Sequence, residues 1–312
     1  MKSILITGGA GFIGSNYLNT FVPHYKDIHF VNVDALTYAG KLSNITISDL
    51  PNYSFEQVDI RAFTELEKVF ATYTPEGVIH FAAESHVDKS IANPDEFIQT
   101  NVSGTNNLLR LAVQHKVERF HQISTDEVYG SLQLGDEAFT ETHPLAPNNP
   151  YSASKAAADL LVRSYHKTFG LNTVITRCSN NFGPYQDDTK LIPLFIKKLK
   201  AGETVPLYGD GSNMRDWLHV SDHVRAVDVV FNNGKAGEIY NVGGTHELSN
   251  LELVHKLLTL TGRDETAIVH VPDRLGHDFR YAINATKITT QLGWKPTVTF
   301  DEGIQELLAI AS

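Results

Sequence analysis

Apolar residues in the first half of the chain fall into short runs separated by longer stretches of helical period. Residues 3–8 and 29–34 read as strands, with a helix to about Phe21 between them. Residues 54–59 are strand-like, 64–72 helical, and 77–82 strand-like again. Helical spacing returns over 94–115, a strand over 119–125, a long helix after Pro150, and another strand over 172–177. Strands that alternate with helices predict βαβ units, and hence an α/β fold whose parallel sheet is covered on both faces. Past residue 178 the pattern loosens. Residues 191–202 and 248–260 read as helices and 204–208 as a strand, before the turn Gly209-Asp-Gly211. This predicts a first domain over 1–178 and a smaller α/β substrate lobe over 179–312, with some later segments returning to the first.

Composition narrows the partners. No apolar run approaches the ~20 residues of a membrane-spanning helix, so no membrane partner is expected. A formal charge of −10 argues against a phosphate-backbone surface, so nucleic acid is not expected either. Cys178 is the single cysteine, which excludes an internal disulfide framework and suits a reducing cytoplasm. Ending an apolar strand, it reads as a buried small hydrophobe.

The first candidate site is TGGAGFIG, which sets Gly8, Gly11 and Gly14 between a strand and a helix. Glycines there allow a tight turn and the close approach of a pyrophosphate, whose charge a helix N-terminus favours. Asp34 closes the second strand 20 residues after Gly14, where a carboxylate accepts from ribose hydroxyls. It would also repel a 2′-phosphate, so NAD is expected rather than NADP. These features predict a doubly wound sheet of Rossmann-like type. Asp59 ends the third predicted strand, as an acceptor for the adenine amino group or as a solvated strand-end acid.

Tyr151 and Lys155 stand one helical turn apart in Y-S-A-S-K and share a face. An ammonium near a phenol favours phenolate, so Lys155 is expected to lower the pKa of Tyr151 and make it a base. The adjacent acids Asp126 and Glu127 follow the strand that ends at Thr125. Ser124–Glu127 also fits a helix-capping box, but the glycines and absent helical period that follow argue against a helix there. Two carboxyls in different surroundings can split into a protonated donor and an ionised acceptor. Alcohol oxidation alone does not need such a pair; removal of water does.

The Gly-rich turn, Thr125 and the Tyr151/Lys155 pair together resemble the extended short-chain dehydrogenase/reductase family. Within it, the chain is similar to the nucleotide-sugar 4,6-dehydratases, especially members acting on dTDP-glucose. The matching segments include VDALTYAG, AAESHVDKSI, STDEVYG, YSASKAAAD, SNNFGPYQ, KLIP, LYGDGSNMRDWLHVSDH and RLGHDFRY. The segment 130–151 is short for the family, and Phe182 stands where Tyr is frequent. The resemblance implies an enzyme with bound NAD, held also by Phe12, Ile13, Ile60 and Ala82. It implies Tyr151, assisted by Thr125, as base in C4 oxidation, Glu127 as base at C5, Asp126 as acid at the C6 hydroxyl, and hydride return to C6, as in deoxysugar (rhamnose-type) biosynthesis. It also implies a homodimer built on the helices over 94–115 and 150–169.

A nucleotide-diphosphate sugar needs cationic and donor groups. Arg215 and Arg274 are candidates for the diphosphate, Asn180 as a donor, Lys190 and Tyr208 for the base, and Ser85 and His86 for the hexose. His219 and His223 are four apart, but their segment reads as strand passing into helix, and no metal site is expected. Two alternatives stand beside the dehydratase: a nucleotide-sugar epimerase of the same extended family, and a non-catalytic NAD-binding scaffold.

Overall fold

A computed structural model describes residues 2–310. The strands are β1 (Lys2–Thr7), β2 (Ile28–Val33), β3 (Tyr53–Glu56), β4 (Gly77–His80), β5 (Arg119–Thr125), β6 (Thr173–Cys178), β7 (Asn180–Phe182), β8 (Val205–Tyr208), β9 (Met214–His219), β10 (Ile239–Val242), β11 (Glu247–Ser249) and β12 (Ile268–Val271). Seven form one sheet in the order β10-β6-β5-β4-β1-β2-β3. Every pairing in it is parallel. The order reverses beside β1, and ligands of open α/β sheets bind at the carboxyl ends next to such a switch point.

Side chains on the two faces of the sheet feed separate cores. Leu5, Val31, Val78 and Phe120 pack with Leu108, Leu109 and Val162 of the covering helices. Ile4, Ile6, Phe30 and Ile79 pack on the other face with Tyr17, Leu18, Val224 and Val227. Continuous Val/Ile/Leu runs thus reflect strands buried on both sides.

The later half of the chain divides its strands. β10 completes the large sheet by pairing with β6, and Val220–Asn233 supplies a helix to its core. β11-β9-β7 and β12-β8 form two small sheets instead. A third core of Phe182, Phe195, Trp217, Leu253 and Phe300 sits beneath them. Phe182 is buried there, its ring 5.1 Å from that of Phe300, so the residue that departs from the family's frequent Tyr fills apolar space.

Several element bounds differ from the sequence reading. β3 stops at Glu56, so Asp59 lies beyond the strand rather than ending it. The helix expected over 94–115 is Pro94–Phe97, a π turn Ile98–Gly104, and Thr105–Gln114. Asn101 explains the bulge. Its buried amide grips the backbone N–H and C=O of Glu84 at 2.8 and 2.9 Å, and donates to Ser154 Oγ at 2.8 Å. Tertiary hydrogen bonds of that kind outweigh the regular ladder, and periodicity does not reveal them. Among the described residues, no helix is long and apolar enough to cross a membrane.

Candidate active site

A cleft of about 330 Å³ opens at the carboxyl ends of the large sheet. Gly8 leaves β1 at φ +71°, and a Cβ on it would lie 2.6 Å from the Ala82 nitrogen. A side chain on Gly14 would run into the Gly8 carbonyl, so the helix Phe12–Phe21 can start this close to β1 only with glycine there. Gly11 caps that helix with no side-chain bond, and a Cβ on it would meet only Gly8 O, at 3.3 Å. The helix N-terminus is therefore open to the cleft, as an anionic diphosphate requires.

Asp34 follows β2 directly and is buried. Its oxygens accept from Ala10 N at 2.9 Å and Leu36 N at 2.8 Å, which fixes the carboxylate and leaves lone pairs for ribose hydroxyls. Burial pushes its carboxyl up, and those two N–H groups oppose the rise. Phe12, Ile13, Ile60, Ala82 and Asp59 line the same cleft. Asp59, however, is bound at both oxygens by Arg61 at 2.6–3.0 Å, which holds its carboxyl below the usual range. The residues present fit NAD, with Asp34 the acceptor that is not already paired to a cation.

The catalytic candidates converge from β5 and the helix Pro150–Phe169. Thr125 ends β5, and its hydroxyl accepts from Glu127 N at 3.3 Å. A single 3-10 turn, Asp126–Tyr129, does begin here, capped by Thr125 rather than Ser124. It turns Asp126 inward. That carboxyl is 2% exposed, and its Oδ2 has no partner among the described residues. Burial, then the negative Glu127 and Asp216, raise it well above the ordinary value, which favours the protonated form. Glu127 lines the cleft, and its Oε2 accepts from Ser152 Oγ at 2.9 Å.

Asn149 caps the long helix through Ser152 N at 2.9 Å, with Pro150 in the first turn, and this sets Tyr151 and Lys155 on the cleft side. Lys155 is buried and donates to Ile123 O at 2.7 Å. The expected lowering of the Tyr151 pKa is not what the protein alone provides. Burial raises the phenol well above its ordinary value, Glu127 and Asp126 add to this, and a hydrogen bond with Thr125 opposes it. Desolvation of both partners outweighs the charge effect inferred from spacing, and it lowers Lys155 as well.

On the substrate side, Lys190 donates to Ser85 O at 3.0 Å. His86 Nδ1, Asn180 Oδ1 and Arg274 Nε are buried polar atoms without a hydrogen-bond partner among the described residues. Ser85, Asn180 and Lys190 line the cleft, and Lys190 and Arg215 each feel the charge of Arg274 and of Glu127. Arg215 is partly committed to the backbone, donating to Met214 O at 2.7 Å and Asp278 O at 3.0 Å, with its guanidinium over the Tyr281 ring. Tyr208 is not brought to the cleft. It is 37% exposed at the end of β8, edge-on to His277. His219 and His223 are held separately, by Ser221 at 2.8 Å and Asn181 at 2.9 Å.

The sequence reading did not single out Tyr281, Ser152 or Asn101. Tyr281 is buried, donates to Asp278 Oδ2 at 2.6 Å and feels the charge of Glu127. Its only signal was its place at the end of RLGHDFRY.

Comparison with known proteins places the chain among sugar-nucleotide enzymes. The family described as GDP-mannose 4,6 dehydratase matches residues 5–307. A dTDP-glucose 4,6-dehydratase from Neisseria meningitidis serogroup B is 50% identical, over 98% of this chain and 92% of that protein. The dTDP-glucose 4,6-dehydratase DesIV of Streptomyces venezuelae, crystallised with NAD bound, superposes with a TM-score of 0.95. It is 46% identical, covering 98% of this chain and 96% of its own. A UDP-glucose 4-epimerase from Thermotoga maritima also superposes, at a TM-score of 0.91 and 30% identity, covering 98% and 97%. Backbone shape is thus common to both chemistries, and the side chains in the cleft carry the distinction.

Proposed function

This chain belongs to the GDP-mannose 4,6 dehydratase family, and on that premise we propose that it is an NAD-dependent nucleotide-sugar 4,6-dehydratase. Its substrate is dTDP-glucose and its product dTDP-4-keto-6-deoxyglucose, made for deoxysugar biosynthesis of the rhamnose type. The observation that carries the reading is Asp126, a buried carboxyl with an unpartnered oxygen beside Glu127 and Tyr151. An epimerase has no use for a proton donor and a carboxylate base side by side.

NAD, when bound, would supply the hydride acceptor for C4 and the hydride donor for C6. Gly8, Gly11, Gly14 and Asp34 hold it, with Phe12, Ile13, Ile60 and Ala82 as apolar walls, and Lys155 reaches the nicotinamide ribose. Tyr151 takes the C4 hydroxyl proton, steadied by Thr125. The resulting ketone acidifies C5–H. Glu127 removes that proton, and Asp126 delivers its own to the C6 hydroxyl, which leaves as water. Arg274, Lys190 and the amide of Asn180 are the donors for the nucleotide diphosphate, with Arg215 behind them and Ser85 and His86 beside the hexose. Tyr208, exposed at the end of β8 and outside the cleft lining, is retained as the contact for the base.

The proposal extends to a homodimer in the cytoplasm. Ile98, Leu160 and Phe169 are 53%, 57% and 58% exposed on the segments expected to pair. Large apolar side chains repeated along two neighbouring elements suit a self-complementary face. Leu160→Glu is expected to shift the dimer to monomer in sedimentation velocity at micromolar concentration. An unchanged sedimentation coefficient would move the interface elsewhere.

The route of hydrogen tests the reaction itself. Substrate deuterated at C4 is expected to give product deuterated at C6 of the same molecule, and turnover in D₂O to place deuterium at C5. Label returned to C4 would identify an epimerase, and label lost to free reduced cofactor a net dehydrogenase. Either result removes the dehydratase reading.

A further inference from the structure

Ser152 lies between Tyr151 and Lys155 in sequence and is 0% exposed. Its backbone N–H already satisfies the helix cap, donating to Asn149 Oδ1 at 2.9 Å. The hydroxyl is thus not required for capping, yet it is placed between two acceptors: Glu127 Oε2 at 2.9 Å and the same Asn149 Oδ1 at 3.0 Å. A serine hydroxyl has one hydrogen and two lone pairs, so it serves one acceptor at a time. The cap also fixes the identity of the Asn149 oxygen, because a backbone N–H points at it. Glu127 Oε1 accepts no hydrogen bond from the described residues.

We propose that Ser152 is a positioning residue for Glu127, a hydroxyl that anchors Oε2 before and after Oε1 takes the C5 proton. The assignment rests on the dehydratase reading of the same site. While Glu127 is ionised, its charge draws the Ser152 hydrogen, since a charge-assisted bond is the stronger of the two. Oε2 is thereby anchored and Oε1 is left for the sugar. In the elimination the C5–H bond breaks and its proton goes to Glu127. The electron pair forms the C5–C6 double bond, and the C6–O bond breaks with the Asp126 proton added to the leaving oxygen. The proton is taken on Oε1, so Oε2 of neutral Glu127 remains an acceptor and the Ser152 hydroxyl keeps donating to it. No heavy atom has to move, so the base is never left without a partner during the cycle.

The test separates steps by what accumulates. Ser152→Ala keeps the cap and removes only the hydroxyl. It is expected to leave sugar binding and C4 oxidation unchanged while slowing C5 exchange and turnover by roughly ten- to hundredfold. Reduced cofactor should then build up on substrate addition, visible by its absorbance. Ser152→Cys, close in volume but a weak donor, should fall between the two. Unchanged C5 deuterium incorporation in Ser152→Ala, with no reduced cofactor, overturns the assignment. So does an equal loss of oxidation and exchange in both variants, which would mark Ser152 as merely structural. Should the unmodified enzyme itself incorporate no deuterium at C5, the dehydratase reading falls and the assignment with it. That outcome is read on a different protein from the other two.

Discussion

Asp126→Asn is expected to slow turnover by roughly 10²–10⁴-fold, the usual worth of general acid help, while C4 oxidation proceeds. Asn is isosteric with the protonated carboxyl but has no proton acidic enough to release to a leaving hydroxyl. Added substrate should convert the bound cofactor to its reduced form and hold it there. Stability is expected to move the opposite way. Burial holds the Asp126 carboxyl above its unfolded value. Above an unfolded pKa of about 4, the folded chain therefore keeps a proton that the unfolded chain has released. Stability falls as pH rises from the unfolded value toward the folded one, by up to ~1.4 kcal/mol per pH unit. Asn has no proton to lose, so the variant's thermal midpoint should exceed that of the parent, and by more at about pH 8 than at about pH 5. Normal turnover with no reduced cofactor would remove Asp126 from the elimination. Equal midpoints at both pH values would mean that the carboxyl is ionised in the fold.

That opposition explains which parts of the site were legible in the sequence. Residues that serve backbone geometry announce themselves by spacing: Gly8, Gly11 and Gly14 around a turn, and Asp34 after β2, stand where the pattern put them. Tyr151 and Lys155 were legible as a pair because a helix repeats every four residues or so. Their electrostatics were not, since the sign of the Tyr151 shift depends on desolvation, which spacing does not report. Asp59 shows the same limit. Its neighbour Arg61 was visible in the sequence, but only the fold shows the guanidinium across both oxygens. Tyr208 shows a third limit: β8 pairs with β12 in a small sheet, a pairing that joins residues far apart in the chain, so its position outside the cleft lining could not be read from spacing. Ser152 stands inside Y-S-A-S-K, but its role, like that of Asn101, was not legible, because the partners Glu127 and Glu84 lie on segments far away in the chain.

Tyr151→Phe is expected to stop the cycle one step earlier than Asp126→Asn, with turnover down by at least as much, roughly 10²–10⁴-fold, and no reduced cofactor. The fold should tolerate the change. The Tyr151 ring packs edge-on to Phe97 at 6.3 Å, and removal of the hydroxyl leaves that contact in place. What is lost is the acceptor for the C4 proton. Because burial raises the phenol, its use as a base depends on positive charge brought close to it, and Lys155, one helical turn along the same helix, is the cation the chain supplies. Substrate binding should be unaffected, since the diphosphate donors lie on other elements. Combining the two substitutions orders the steps: the double variant should behave as Tyr151→Phe alone, with the cofactor fully oxidised. Reduced cofactor forming in Tyr151→Phe at close to the parent rate would show that another group takes the C4 proton. Tyr281, a buried phenol that feels the charge of Glu127, would then be the next residue to change.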